Sequence, residues 1–91
     1  MLEIDLKPRA KRFIESLPPK HQRQVKNSVL ALLENPKPQD SKKLLGYEHY
    51  LRIDIGEYRI IYRHSTKLLT VVLIGKRNDD EVYRVAKRIL N

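Results

Sequence analysis

The stretch Leu51-Arg52-Ile53-Asp54-Ile55-Gly56-Glu57-Tyr58-Arg59-Ile60-Ile61-Tyr62-Arg63 reads as a β-hairpin, and the rest of the chain is placed around it. Two runs of alternating character flank Gly56-Glu57, a two-residue turn with glycine first, as a type II′ turn requires. If Ile55 pairs with Tyr58, then Asp54 lies opposite Arg59 and Arg52 opposite Ile61. Side chains alternate along a strand, so Leu51, Ile53, Ile55, Tyr58, Ile60 and Tyr62 share one face. Arg52, Asp54, Arg59, Ile61 and Arg63 share the other. The pattern predicts a core face and a surface face studded with guanidinium groups.

Upstream, Leu2, Ile4 and Leu6 alternate with Glu3, Asp5 and Lys7, a short half-buried strand. Pro8 suits the first turn of a helix, and Ala10, Phe13, Ile14 and Leu17 follow at the helical spacing. Pro18-Pro19 closes this helix and opens a second, striped by Val25, Val29, Leu32 and Leu33, which Asn35, Pro36 and Pro38 end. Residues 36–43 read as a polar loop. Downstream of the hairpin, Ser65-Thr66-Lys67 reads as a turn, and Leu68 to Ile74 is almost continuously apolar, the mark of a well-buried strand. Asn78 with Glu81, and Asp79 and Asp80 between them, reads as the start of a third helix striped by Val82, Val85, Ala86 and Ile89. The predicted fold is α+β, in the order β-α-α-β-β-β-α. A small antiparallel sheet with a mixed edge carries an N-terminal helical hairpin and a C-terminal helix.

Ninety-one residues, 41% hydrophobic and 33% charged, suit one small globular domain over 1–91. With no cysteine, disulfides and thiolate metal sites are excluded. The N-terminus is too short and acidic to open a signal peptide, and no apolar run approaches the ~20 residues of a membrane span. The reading is a cytoplasmic protein with no membrane partner. Nineteen Lys and Arg against 11 Asp and Glu give +8, a balance that favours a polyanionic partner such as nucleic acid, an anionic membrane surface or an acidic protein.

Three groups of residues can carry chemistry. Arg52, Arg59 and Arg63 along one hairpin face can grip successive phosphates bidentately, or Asp54 and Arg59 can simply form a cross-strand ion pair. Gly75-Lys76-Arg77 leaves the last strand beside the Gly56 turn, within reach of Arg59. Tyr83 falls about 110° from the apolar stripe of its helix, on the rim, where a phenol can stack on a base or shield the core edge. His21, His49 and His64, read as a helix start, a loop and a distal strand end, form no acid–base couple. No HxH, HExxH, GxSxG or phosphate-binding glycine loop is present, so metal, triad and nucleotide readings lack support.

Taken together, Gly56-Glu57-Tyr58-Arg59-Ile60-Ile61-Tyr62, Val71-Val72-Leu73-Ile74-Gly75-Lys76-Arg77, Glu81-Val82-Tyr83 and Lys87-Arg88-Ile89-Leu90 resemble the RelE toxins of bacterial and archaeal toxin–antitoxin systems. The resemblance runs nearly end to end. Its hairpin string is shared across the RelE/ParE superfamily and speaks for fold only; the later Gly-Lys-Arg and Glu-Val-Tyr strings point to the ribosome-dependent ribonuclease branch. The resemblance implies a toxin that enters the ribosomal A site and cleaves mRNA there by 2′-hydroxyl attack, without metal or other cofactor. Its partners would be a cognate antitoxin, the ribosome and mRNA. Arg59 and Arg77 would stabilise the phosphorane, with Arg77 also protonating the leaving oxygen. Tyr83 would stack on the base and orient or activate the 2′-hydroxyl. Arg52, Lys43, Arg63 and Lys76 would contact the RNA. Asp54 stands where relatives carry a second hairpin lysine; it either orients Arg59 or weakens phosphate binding. Two other functions fit the same fold: a ParE-like gyrase poison, and a catalytically silent RNA- or antitoxin-binding module.

Overall fold

A computed structural model describes residues 1–78 and 81–90. Its elements are β1 (Glu3–Leu6), α1 (Pro8–Glu15), α2 (Pro19–Glu34), β2 (Lys42–Leu44), β3 (Tyr47–Ile55), β4 (Tyr58–His64), β5 (Leu68–Lys76) and α3 (Glu81–Ile89). The strands form one sheet in the order β1-β5-β4-β3-β2. β1 runs parallel to β5, and every other pairing is antiparallel. The α+β class, the mixed edge and the order of the anticipated elements are as read from the sequence.

The hairpin has the anticipated register: Ile55 opposes Tyr58, Asp54 opposes Arg59 and Arg52 opposes Ile61. Gly56 has φ +57°, and no described non-glycine residue has positive φ. A single left-handed position at the first turn residue is the type II′ requirement. Pro8 and Pro19 both open helices, where the missing N–H has no intrahelical partner to lose.

Two features depart from the sequence reading. Lys42 and Lys43, assigned to the polar loop, form the edge strand β2 with Leu44, with a register shift between Lys43 and Leu44. Three residues, two of them lysines, carry no alternation to read, and such short charged strands suit a sheet edge. His49, likewise assigned to a loop, lies inside β3. The acidic first turn expected at Asp79 and Asp80 lies outside the described residues.

The second face of the sheet is not simply a basic surface. α1 and α2 cover one face, burying Tyr58, Ile60 and Tyr62 against Ala10, Ile14, Val25 and Val29. α3 covers part of the other, where Ile61, Val72 and Leu73 pack beneath Val82, Val85 and Ala86. A bulge makes this second core possible. Ile61 opposes Leu73 and Tyr62 opposes Val71, leaving Val72 as an extra residue. Val72 and its neighbour Leu73 therefore both join the α3 side. The Tyr62 hydroxyl donates to the Pro36 carbonyl at 2.7 Å, tying β4 to the segment after α2. No described helix is long and apolar enough to cross a membrane.

Gly75 sets how closely α3 approaches the sheet, because a Cβ there would overlap Cγ2 of Val82. Gly75→Ala is therefore expected to lower stability by about 1–3 kcal/mol, the usual cost of overpacking. Urea unfolding of the two forms measures it.

Candidate functional site

Three elements meet on the α3 side of the sheet: the outgoing half of the β3–β4 hairpin, the exit of β5 and the first turn of α3. Arg59 is the centre of the cluster. Its Nε donates to Asp54 Oδ1 at 2.7 Å and its Nη2 to Asp54 Oδ2 at 3.1 Å. This is the bidentate fork that a planar guanidinium makes with a carboxylate, across the strand pair that the hairpin register creates. Arg59 Nη1 donates to the Tyr83 hydroxyl at 3.0 Å, and the guanidinium carbon lies 5.6 Å from the centre of the Tyr83 ring. One arginine thus joins a strand, its neighbour and a helix.

The electrostatics follow from the pairing. The hydrogen bonds from Arg59 are the main reason that Asp54 titrates below the usual carboxylate value of 3.8, with Arg59, Arg52 and Arg77 adding favourable charge against the cost of burial. Reciprocally, the Asp54 hydrogen bond is the main cause that raises Arg59 above its already high value. At neutral pH the site is a fixed guanidinium beside a weakly basic carboxylate. Arg52 Nη1 stands 3.9 Å from Asp54 Oδ2, at the outer limit of an ion pair.

Arg77 is anchored by its backbone, whose N–H donates to the Glu57 carbonyl at 2.9 Å. That bond fixes the exit of β5 beside the hairpin turn, and the exposed Arg77 side chain brings its charge to bear on Asp54. Tyr83 is half-buried on the rim of the second core, where its helical position puts it. Arg63 lies on the same sheet face as Arg59, with its guanidinium 5.9 Å from the centre of the Tyr50 ring. Arg52, Arg59, Arg63, Arg77 and Tyr83 are thereby gathered on one side.

Lys76 and Lys43 are not. Lys76 opposes Tyr58, and directly paired residues project to the same face. Tyr58 is buried on the α1–α2 side, edge-on to Phe13 and bonded at its hydroxyl to His21 Nδ1 at 2.5 Å. Lys76 lines a groove of about 440 Å³ at the end of β5, between Arg9, Arg12 and Phe13 of α1 and Glu81, Val82 and Val85 of α3. Lys43 opposes Leu51, again the α1–α2 side, whereas Lys42 opposes Arg52 and belongs with the cluster. Lys42 was missed because its strand was missed. Tyr50 was legible by alternation, two residues before Arg52. Among the described residues no group of three or more His, Cys, Asp or Glu side chains can hold a metal ion.

Residues 4–81 match the family described as the ParE toxin of type II toxin–antitoxin systems, parDE. The chain belongs to that family, and so to the RelE/ParE superfamily of toxins, and it is RelE-like in fold. It is similar to a doubly substituted form of the Escherichia coli toxin RelE in the free state, with 27% identity over 94% of this chain and 95% of that one and a TM-score of 0.75. It also shares its fold with archaeal RelE in a RelE–RelB complex from Pyrococcus horikoshii, with 24% identity over 84% and 94% of the two chains and a TM-score of 0.72. A RelB–RelE antitoxin–toxin complex from Methanococcus jannaschii matches at 18% identity, 88% and 95% coverage and a TM-score of 0.67. No curated protein matches the chain.

The ion pair gives an acid signature with a definite sign. Asp54 has a depressed folded value, so its contribution is complete above the unfolded value near 3.8 and is lost as pH falls through the lower folded value. Asp54→Asn should cost about 1 kcal/mol at neutral pH and flatten the stability curve below pH 4. Urea midpoints measured across the acid range for both forms test this.

Proposed function

We propose that this chain is the toxin of a type II toxin–antitoxin pair and acts as a ribosome-dependent endoribonuclease, cleaving mRNA in the A site and so inhibiting translation in the cytoplasm. The observation that carries the reading is the 3.0 Å hydrogen bond from Arg59 Nη1 to the Tyr83 hydroxyl. It couples a group able to bind a phosphate oxygen with one able to face a ribose or base. The likeness to RelE supports it.

In the proposed reaction the 2′-hydroxyl gives its proton to water as its oxygen attacks the adjacent phosphorus, and the bond to the 5′-oxygen breaks as that oxygen takes up a proton, leaving a 2′,3′-cyclic phosphate and a 5′-hydroxyl. Arg59 stays cationic throughout, because its pairing raises its pKa further, and it acts by stabilising charge on the phosphorane oxygens. The Tyr83 oxygen accepts from Arg59, so its own proton is available to the RNA, and the ring can stack on a base. Arg77 is assigned to the leaving oxygen. Arg52, Arg63 and Lys42 line the path of the backbone; Lys43 and Lys76, on the opposite side of the sheet, suit the ribosome or an acidic antitoxin segment instead. A cognate antitoxin covering the basic face neutralises the toxin, as partner chains accompany the RelE proteins of Pyrococcus and Methanococcus.

The family description also favours a second reading, a ParE-like gyrase poison. Mapping mRNA 5′ ends in a translating extract separates the two. The ribonuclease reading expects breaks at A-site codons, reduced about 10²-fold or more in Arg59→Ala, Arg77→Ala and Tyr83→Phe. Unbroken mRNA with altered DNA supercoiling would favour the gyrase reading.

A further inference from the structure

We propose that Asp54 is a built-in stand-in for the RNA phosphate: in the free protein its carboxylate fills the bidentate seat on Arg59, and a phosphodiester takes that seat by exchange. The proposal rests on the RNA-cleaving reading above and adds to it a residue that competes with substrate.

Three observations carry it. A carboxylate and a phosphodiester offer a guanidinium the same two-oxygen edge, and the Nε–Nη2 edge of Arg59 is already closed by both Asp54 oxygens, at 2.7 and 3.1 Å. The arginine lies deeper than its partner, with side-chain exposures of 15% for Arg59 and 29% for Asp54. An anion arriving from solvent therefore meets the carboxylate before it meets that edge of the guanidinium. The displaced carboxylate also has a destination. Arg52 Nη1 waits 3.9 Å from Asp54 Oδ2, and Arg77 contributes charge to the same carboxylate. A shift of about 1 Å would bring Asp54 into full hydrogen-bond range of Arg52. No buried charge is left unpaired by the exchange, which is the step that would otherwise make breaking such a pair expensive.

Exchange has a thermodynamic signature that simple orientation of Arg59 lacks. A phosphate that displaces an internal carboxylate gains less than one that meets a free guanidinium. Removing the carboxylate charge should therefore tighten RNA binding, where loss of a mere positioning group would weaken it or leave it unchanged. The experiment uses a short single-stranded RNA with 2′-O-methyl groups, which cannot undergo 2′-hydroxyl attack, titrated against the wild-type chain, Asp54→Asn and Arg59→Ala over a range of salt. Asp54→Asn is expected to bind about tenfold tighter than wild type, the size of one charge-assisted contact. Its plot of log K against log salt should be steeper by about 0.7, one additional phosphate neutralised on a single strand. Arg59→Ala should bind more weakly than either.

A measurement on the wild-type chain stands even if Asp54→Asn does not fold. The carboxyl carbon resonance of Asp54 should move saturably as the same RNA is added. Equal or weaker binding by a folded Asp54→Asn, or an Asp54 resonance unmoved at saturating RNA, overturns the exchange while leaving the RNA reading intact. Failure of all three forms to bind RNA, with mRNA unbroken in the translating extract, overturns the RNA reading and the exchange with it.

Discussion

Everything in this fold hangs on the double burial of β4. Ile60 and Ile61 are neighbours in sequence, point to opposite faces, and are both fully buried. A strand can be apolar on both faces only if different elements cover each one. Here α1 and α2 cover the Ile60 side and α3 the Ile61 side. The sheet is a shared wall between two cores, and whatever stands at its margin is held from both sides.

The candidate site is the margin of the smaller core. α3 covers Ile61, and Arg59, two residues earlier on the same face and paired with Gly75, lies beside the first turn of α3 at the edge of the apolar contact. There its guanidinium is flanked by Asp54 from β3 and Tyr83 from α3. Apolar packing thus sets the helix position, the bare backbone of Gly75 sets its distance from the sheet, and the polar triad forms where packing ends. The two margins of the sheet differ in chemistry for the same reason. On the α1–α2 side, the strand ends present Tyr58 to His21 and Phe13, and Lys76 lines a groove that runs between α1 and α3.

The arrangement also reframes Asp54. At 2.7 Å from Arg59 it orients the guanidinium, and its depressed titration makes it a weak base at neutral pH. The same fork that orients the arginine closes the edge on which a phosphate would sit. Orientation and, under the proposed exchange, competition are two consequences of one geometry rather than alternatives.

Local chemistry made the hairpin readable: Gly56 at a position that needs positive φ, alternation on both sides, and a register that follows from turn length alone. The helical stripes and the buried last strand were legible for the same reason, since period and apolar content are local properties. The pairing of Asp54 with Arg59 followed directly from that register. The tertiary structure decided what depends on several segments at once. The lysines of β2 gave no pattern until β3 supplied a partner, which sets Lys42 opposite Arg52 and Lys43 opposite Leu51. Lys76 and Arg77 are adjacent in sequence, yet the pleat and the exit from β5 part them: Lys76 opposes Tyr58 and lines the groove between α1 and α3, while the charge of Arg77 acts on Asp54. The second core needed a bulge at Val72, which no propensity announces. Sequence periodicity determines which face a side chain takes within its own element; which faces meet is set by packing between elements far apart in the chain, and the Arg59–Tyr83 contact, 24 residues apart, exists only at that level.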